Sequence, residues 1–375
     1  MHKSFLLLGA CVLGAALAVP RERRQALNSD ADFIQACECV PYYQCQDGEI
    51  ITDGAGLIDI RVGNRSAPAG AASPAVSTTC ELFLDVCCRV PNVNPGPIGP
   101  PAYTAGCGRR NVEGIHARIS GFQGNEAQFG EFPWMTAVLR TEYIGDKEVN
   151  LYVCGGSLIE DNVVLTAAHC VAGKDSTKLK IRVGEWDTQN EYETYAHEDR
   201  QVLEYIVHPA YNQQNLQNDF ALVFLESPFI LKPHIDTVCL PGPQPFPEGT
   251  TCFATGWGKD KFGKEGVYQN VLKKIDLPIV DNYNCQESLR TTRLGKYFKL
   301  DDSFMCAGGV PTKDTCTGDG GSPLVCQLPG DSSYVQVGIV AWGIGCGEDG
   351  VPGVYADVTQ AGDWIENEII YRRGV

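Results

Sequence analysis

Three stretches of the chain hold residue types that acyl-transfer chemistry uses. Thr166-Ala167-Ala168-His169-Cys170 offers an imidazole, which can take a proton from a nucleophile near neutral pH. Asn218-Asp219-Phe220-Ala221-Leu222 offers a carboxylate beside an apolar run, the kind of buried acid that fixes the tautomer of an imidazole. Cys316-Thr317-Gly318-Asp319-Gly320-Gly321-Ser322-Pro323 is a glycine-rich loop whose centre, Gly320, has no side chain to deprotonate. A base and its orienting acid are present, and the group they would activate is not.

Such groups need a rigid frame, and the sequence from Ile119 to Val375 reads as strands. Runs rich in Val, Ile, Tyr and Trp, such as Val163-Val164-Leu165-Thr166-Ala167-Ala168 and the stretch from Val335 to Trp342, are bounded by Gly, Pro, Asn and Asp. Only the tail from Val358 to Tyr371 has a helical period, with Trp364, Ile365, Ile369 and Ile370 on or near one face. This order, taken with the three motifs, resembles the chymotrypsin/trypsin family, whose nucleophile loop reads Gly-Asp-Ser-Gly-Gly-Pro. The resemblance implies an all-β fold, a double β-barrel of trypsin-like type with a C-terminal helix. It also implies the bridges Cys154–Cys170, Cys252–Cys326, Cys285–Cys306 and Cys316–Cys346, and a bridge from Cys107 to Cys239.

Gly320 stands where that family carries its attacking serine. Removing a triad serine costs on the order of a million-fold in turnover, roughly 8–9 kcal/mol of barrier, more than any neighbouring hydrogen bond is worth. Ser322 is no substitute, because in the family the position two residues on packs as a glycine turned away from the base. Ala341-Trp342-Gly343 lacks the serine that the family sets against the triad carboxylate. Arg118-Ile119-Ser120-Gly121-Phe122 departs from the Arg-Ile-Val-Gly-Gly activation site, with Ile119 about two residues out of register. The new N-terminus that would pair with Asp319 is therefore not expected to form, and His169 and Asp219 are expected to persist as a structural pair.

The resemblance implies, by contrast, that the family's specificity pocket is kept. Asp314 occupies the base of a trypsin-like pocket with Gly343 and Gly353 as its walls, a place for an Arg or Lys side chain or for no ligand at all. Glu185-Trp186-Asp187 through Glu198-Asp199 lies where some family members bind calcium, which makes Glu185 and Glu198 candidate ligands, and no other cofactor is required.

Upstream, Lys3 precedes an apolar run from Phe5 to Ala18 that ends in a small-x-small cleavage site, so residues 1–18 read as a signal peptide and 19–33 as a spacer. Of the 17 cysteines, Cys11 leaves with that peptide, and the even remainder suits a disulfide framework in an oxidising compartment. Cys37, Cys39, Cys45, Cys80, Cys87 and Cys88 crowd residues 34–90, a module too small to be stable without bridges, and spacing alone does not choose among their pairings. The pattern resembles the clip domain that precedes the protease domain in arthropod immune and developmental proteases. That likeness implies Cys37–Cys87, Cys39–Cys80 and Cys45–Cys88. Between Cys45 and Cys80 runs a proline-broken loop in which Arg61 is the first candidate for proteolytic cleavage and Arg65 the second, beside the glycosylation sequon at Asn64. Residues 91–118, rich in Pro and Gly, read as a linker before the domain at 119–375.

A formal net charge of −16 disfavours nucleic acid and anionic membrane surfaces as partners, and no later apolar run is long enough to span a bilayer. The whole arrangement resembles clip-domain serine protease homologues, particularly the prophenoloxidase-activating cofactors. That resemblance implies a secreted haemolymph adaptor, not an enzyme, cut in its clip loop by an upstream clip-domain protease. It would then engage prophenoloxidase or its activating protease and promote melanisation, with an oligomer among the forms that cleavage could release. The rivals are an active trypsin-like protease with an unconventional nucleophile and a protein that recognises microbial surfaces or mediates adhesion.

Overall fold

The computed structural model describes the backbone at residues 37–41, 45–46, 49–50 and 85–89, and then residues 106–115, 125–145, 147–189, 195–259, 265–316 and 318–373. The chain divides into two units, Met1–Asn94 and Pro95–Val375. In the first, β1 (Cys37–Pro41), β2 (Cys45–Gln46), β3 (Glu49–Ile50) and β4 (Asp85–Arg89) form one sheet in the order β1-β4-β3-β2. Its register sets Cys87 opposite Cys39 and Cys88 opposite Glu38. Arg61, Asn64, Arg65, Cys80, the signal-peptide stretch and Arg118 to Phe122 lie outside the described residues, and so do the side chains of the other clip cysteines.

In the second unit β5 (Met135–Ile144), β6 (Lys147–Glu160), β7 (Val163–Thr166), β8 (Leu179–Val183), β9 (Glu198–Val207) and β10 (Ala221–Leu225) close into a barrel in the order β10-β7-β6-β5-β8-β9. A second barrel follows from β11 (Thr251–Gly256), β12 (Lys273–Val280), β13 (Phe304–Gly308), β14 (Pro323–Gln327), β15 (Tyr334–Trp342) and β16 (Pro352–Asp357), in the order β11-β12-β13-β16-β15-β14. The local sequence explains the strands. In β8, Leu179, Ile181 and Val183 enter the core while Lys180 and Arg182 face outward, the period of two that a half-buried strand requires. β7 and β10 are buried along their whole length and carry no charged residue.

The barrels share one apolar core, to which Leu158, Ile181 and Phe220 of the first and Val325, Ile339 and Ala356 of the second contribute. A buried polar contact also joins them, the Ser157 hydroxyl donating to the Gln336 side-chain carbonyl at 2.5 Å. Among the described residues three α-helices complete the unit: α1 (Ala168–Val171), α2 (Asn282–Arg290) and α3 (Val358–Arg373). The helical period of the sequence marks α3 alone; α2 is short and is started by Asp281, whose carboxylate accepts from the amides of Tyr283 and Asn284. On α3 the core-facing residues are Val358, Ala361, Ile365 and Ile369, whereas Ile370 is exposed, because the helix period turns it away one step after Ile369.

The linker expected at 91–118 needs correction. Residues 106–115 are part of the barrel unit: Cys107 is bridged to Cys239, Gly108 exchanges backbone hydrogen bonds with Thr237 and Tyr334, and Ile115 is buried. Arg110 is the anchor. Its guanidinium donates to the fully buried Glu131 at 2.5 and 3.0 Å and lies 4.0 Å from the centroid of Phe253, while Lys274 reaches the same carboxylate at 2.7 Å. A carboxylate with no solvent access is costly without cationic partners, so the Arg110 contact ties this short segment to the barrel unit.

Candidate functional site

The site lies where α1, the turn before β10 and the loop before β14 converge. His169 stands on α1, one residue from the bridge Cys154–Cys170 that ties the helix to β6. Asp219 precedes β10 and is fully buried; one of its oxygens accepts from the His169 amide at 2.8 Å and the other faces His169 Nδ1 at 2.6 Å. The carboxylate thus fixes both the backbone and the ring of the histidine, leaving Nε2 directed at the loop before β14.

What Nε2 meets there is Gly320. A Cβ added to this residue would stand 2.8 Å from Nε2, closer than an ordinary carbon to nitrogen contact, so the imidazole has settled into part of the room a side chain would occupy. The loop around Gly320 is nonetheless well tied. Its carbonyl accepts from the Gly155 amide at 2.9 Å, Gly321 donates to Val340 at 2.9 Å, and Cys316 is bridged to Cys346. Gly318 holds a positive φ of 102° against the ring of Tyr268, a position that a side chain could not share. Ser322 is fully buried with its hydroxyl turned to Gly155 and Tyr152 on β6; it makes no hydrogen bond with His169.

Asp319 is half-buried on the inner side of this loop, and its two oxygens accept from the amides of Gly258 at 2.8 Å and Cys316 at 2.9 Å. Burial pushes its pKa up to about 6 against those two hydrogen bonds. Tyr152 stands close by, its phenol pushed up first by burial and then by the Asp319 charge. Ser322 faces away from the base, as the resemblance implies, whereas nothing in the sequence marks Tyr152, because a hydroxyl packed under a loop leaves no pattern along the chain.

A cavity of about 240 Å³ opens beside His169 and Gly320 and runs past Trp342 to Asp314. Asp314 Oδ2 accepts from the Gly347 amide at 3.2 Å, while Oδ1 is buried without a partner among the described residues. Burial pushes this carboxyl up to about 6, opposed by the amides of Gly347 and Thr315 and helped by the nearby Asp319. Gly353 must lack a side chain, since a Cβ there would come within 2.8 Å of Asp314 Oδ1, whereas Gly343 is merely open, its nearest neighbour being the Gly345 carbonyl at 3.7 Å. Tyr355, fully buried behind Gly353, is joined to Thr315 by a 3.2 Å hydroxyl contact. The arrangement suits a cationic side chain, whose charge would supply the missing partner of Oδ1.

The two carboxylates expected to hold calcium serve protein cations. Glu185 pairs with Arg182 at 3.1 Å and His197 at 3.3 Å, and Glu198 pairs with Lys232 and, at 3.1 Å, with Arg200. As arranged they do not fit the ion, which would have to displace these partners. The other grouping of metal-ligand types among the described residues, Cys154, His169 and Cys170, contains the two sulfurs of a disulfide and offers no thiolate. Among the described residues no helix is long and apolar enough to cross a membrane.

Comparison with known proteins places this geometry. The model of the trypsin family matches residues 122–365, and a model described as the serine protease clip domain PPAF-2 matches residues 28–89. Phenoloxidase-activating factor 2 of Galleria mellonella is 53% identical over 288 residues, covering 74% of this chain and 94% of that protein. Inactive CLIP domain-containing serine protease A3 of Aedes aegypti is 41% identical over 343 residues, covering 89% of this chain and 67% of that protein. Inactive CLIP domain-containing serine protease A28 of Anopheles gambiae is 36% identical over 356 residues, covering 88% of each. With two closed six-stranded barrels, a C-terminal helix and these matches, the chain belongs to the clip-domain family of trypsin-like serine proteases.

Proposed function

We propose that this protein is a secreted, non-catalytic cofactor of an arthropod protease cascade that promotes prophenoloxidase activation and melanisation. The observation that carries the reading is the pairing of an intact His169–Asp219 couple with Gly320, which presents no atom for His169 Nε2 to deprotonate. Ser322 is turned to Tyr152 and cannot take the role without rebuilding the loop. What remains is a scaffold able to bind and unable to form an acyl intermediate.

The likeness to a phenoloxidase-activating factor over most of both chains supports the cascade. In this reading an upstream clip-domain protease cuts after Arg61, or after Arg65, beside a glycan on Asn64, and the cut form engages prophenoloxidase or its activating protease. The Cys107–Cys239 bridge, with Arg110 seated on Glu131, keeps the segment before the barrels attached to them. Asp314 is available to a basic side chain of the partner.

The test is a reconstituted cascade containing the protein or its Arg61→Ala variant. Phenoloxidase activity should rise with the native protein and stay at background with the variant. Equal activation by both would remove the switch, and activation by neither would remove the cofactor role. A fluorophosphonate probe addresses the chemistry separately: no label on the native protein is expected, and labelling would contradict the reading.

A further inference from the structure

Among the described residues of the barrel unit, most surface cations are neutralised by a neighbouring acid: Arg182 by Asp199, Lys273 by Glu126, Lys313 by Asp276 and Arg372 by Glu204. One stretch differs. From Ser288 to Leu300 the chain has Arg290, Arg293, Lys296 and Lys299 and no acidic residue, although the protein as a whole carries a formal net charge of −16. Arg290 is used internally, bonding Glu287 at 2.6 Å and the Phe298 carbonyl at 2.8 Å. Arg293, Lys296 and Lys299 are exposed and form no ion pair among the described residues.

This stretch is a built loop. Successive turns close it, with Thr292 donating to Leu289, Gly295 to Thr292 and Phe298 to Gly295, each at 3.0–3.1 Å. The Leu300 amide donates to the Gln286 side chain at 3.1 Å. Leu294 and Phe298 turn inward onto the cluster that contains Ala341, so the cations have only the outer face left. Tyr297 is 86% exposed, the most exposed large hydrophobic residue of the unit, with Lys296 Nζ 4.9 Å from its ring centre. Of the neighbouring acids, Asp301 accepts from Gln217 and from the Ser303 amide, while Asp302 is exposed one residue beyond it.

We propose that the loop at 291–299 is a docking surface for a short acidic segment of a partner polypeptide. Its position favours a peptide, since Phe298 meets the edge of Trp342 at 6.1 Å and Trp342 also lines the cavity that ends at Asp314. An extended segment lying in that cleft passes directly beside the loop. Charge range selects a short segment over a long polyanion. Fields are screened beyond about 8 Å at physiological ionic strength, so a few acidic residues meet only the local cations, whereas a sulfated polysaccharide or nucleic acid would also run over the acidic remainder of the surface. The exposed tyrosine supplies contact area with little ordering loss, as aromatic anchors in interfaces do. This inference goes beyond the cofactor role and does not depend on it.

The experiment uses the full-length protein and a fluorescein-labelled 12-residue peptide of Glu and Asp with one Tyr, followed by fluorescence anisotropy. Arg293→Gln/Lys296→Gln/Lys299→Gln should weaken binding about tenfold, the sum of three exposed ion pairs, and flatten its salt dependence. Lys147→Gln/Lys174→Gln/Lys178→Gln on the other barrel removes the same charge and should leave binding unchanged. A peptide with Gln and Asn in place of the acids should not bind. If the first variant unfolds early in a thermal scan, Lys296→Glu alone is measured, with a smaller loss expected. The proposal is overturned if the acidic peptide does not bind the native protein, if both triple variants lose binding equally, or if a heparin octasaccharide binds the loop and the peptide does not.

Discussion

Two carboxylates of the site, Asp219 behind His169 and Asp314 in the cavity, differ in what they still need. Asp219 has both oxygens occupied by one residue, His169, through its amide and its ring, so the pair is complete within the chain. Asp314 is half-buried, its Oδ1 is covered without a partner among the described residues, and the carboxyl is pushed up to about 6. A group satisfied internally contributes to folding and asks for no ligand. A buried acid left half satisfied costs stability until a cation arrives, which is how a binding site differs from a structural one. The half of the site that would do chemistry is closed on itself, and the half that would recognise a side chain is open.

That contrast can be broken at Asp219. Asp219→Ala removes the acceptor of a buried amide and the partner of the ring together, and should destabilise the protein by about 2–4 kcal/mol in urea unfolding. A loss below about 0.5 kcal/mol would show that the pair is not structural. The complementary change, Asp314→Asn, should leave the fold intact and weaken p-aminobenzamidine binding about 30- to 100-fold, some 2–3 kcal/mol, as read by ligand fluorescence. Unchanged affinity would mean that the pocket is not in use as drawn.

Gly320→Ser sharpens the comparison from the other side. The added Cβ forces His169 back against the two bonds that hold it, so a loss of about 1–2 kcal/mol is expected, with fluorophosphonate labelling that is slow compared with an active protease. Fast labelling with no loss of stability would show that the base had never moved.

The smallest effect is on pH. Asp314 and Asp319, both pushed up to about 6, keep their protons in the folded state over the interval from about 4 to 6, where the unfolded chain has already released them. Their contribution is therefore fully present below about pH 4 and is lost as the pH rises through 6. Asp314→Asn should remove its share of this fall, and benzamidine affinity should rise over the same interval as the carboxylate forms. A native stability that climbs steadily between pH 4 and 6, unaltered by the substitution, would contradict the assignment.

The legible parts of the site were those in which chemistry forces a residue type at a local spacing. His169, Asp219, Gly320 and Asp314 each sit in a short motif, and the alternation of Leu179, Ile181 and Val183 marks a strand on sight. What stayed hidden depends on contacts distant along the chain. Arg110 looked like part of a proline-rich tether, and only folding brings Glu131, Phe253 and Lys274 around it. Likewise the calcium expectation rested on acidic residues at the right spacing, and nothing in that spacing shows that Arg182, His197 and Lys232 already hold them. Tyr152 comes from β6 and meets Asp319 and Ser322, both of the loop before β14, only once the chain has folded.

The most direct measurement is steady-state hydrolysis of an arginyl ester by rigorously purified protein, before and after clip cleavage, alongside its His169→Ala variant. The account predicts no turnover above the buffer in any of these samples. Sustained turnover by the native protein that disappears in the His169→Ala variant would contradict it.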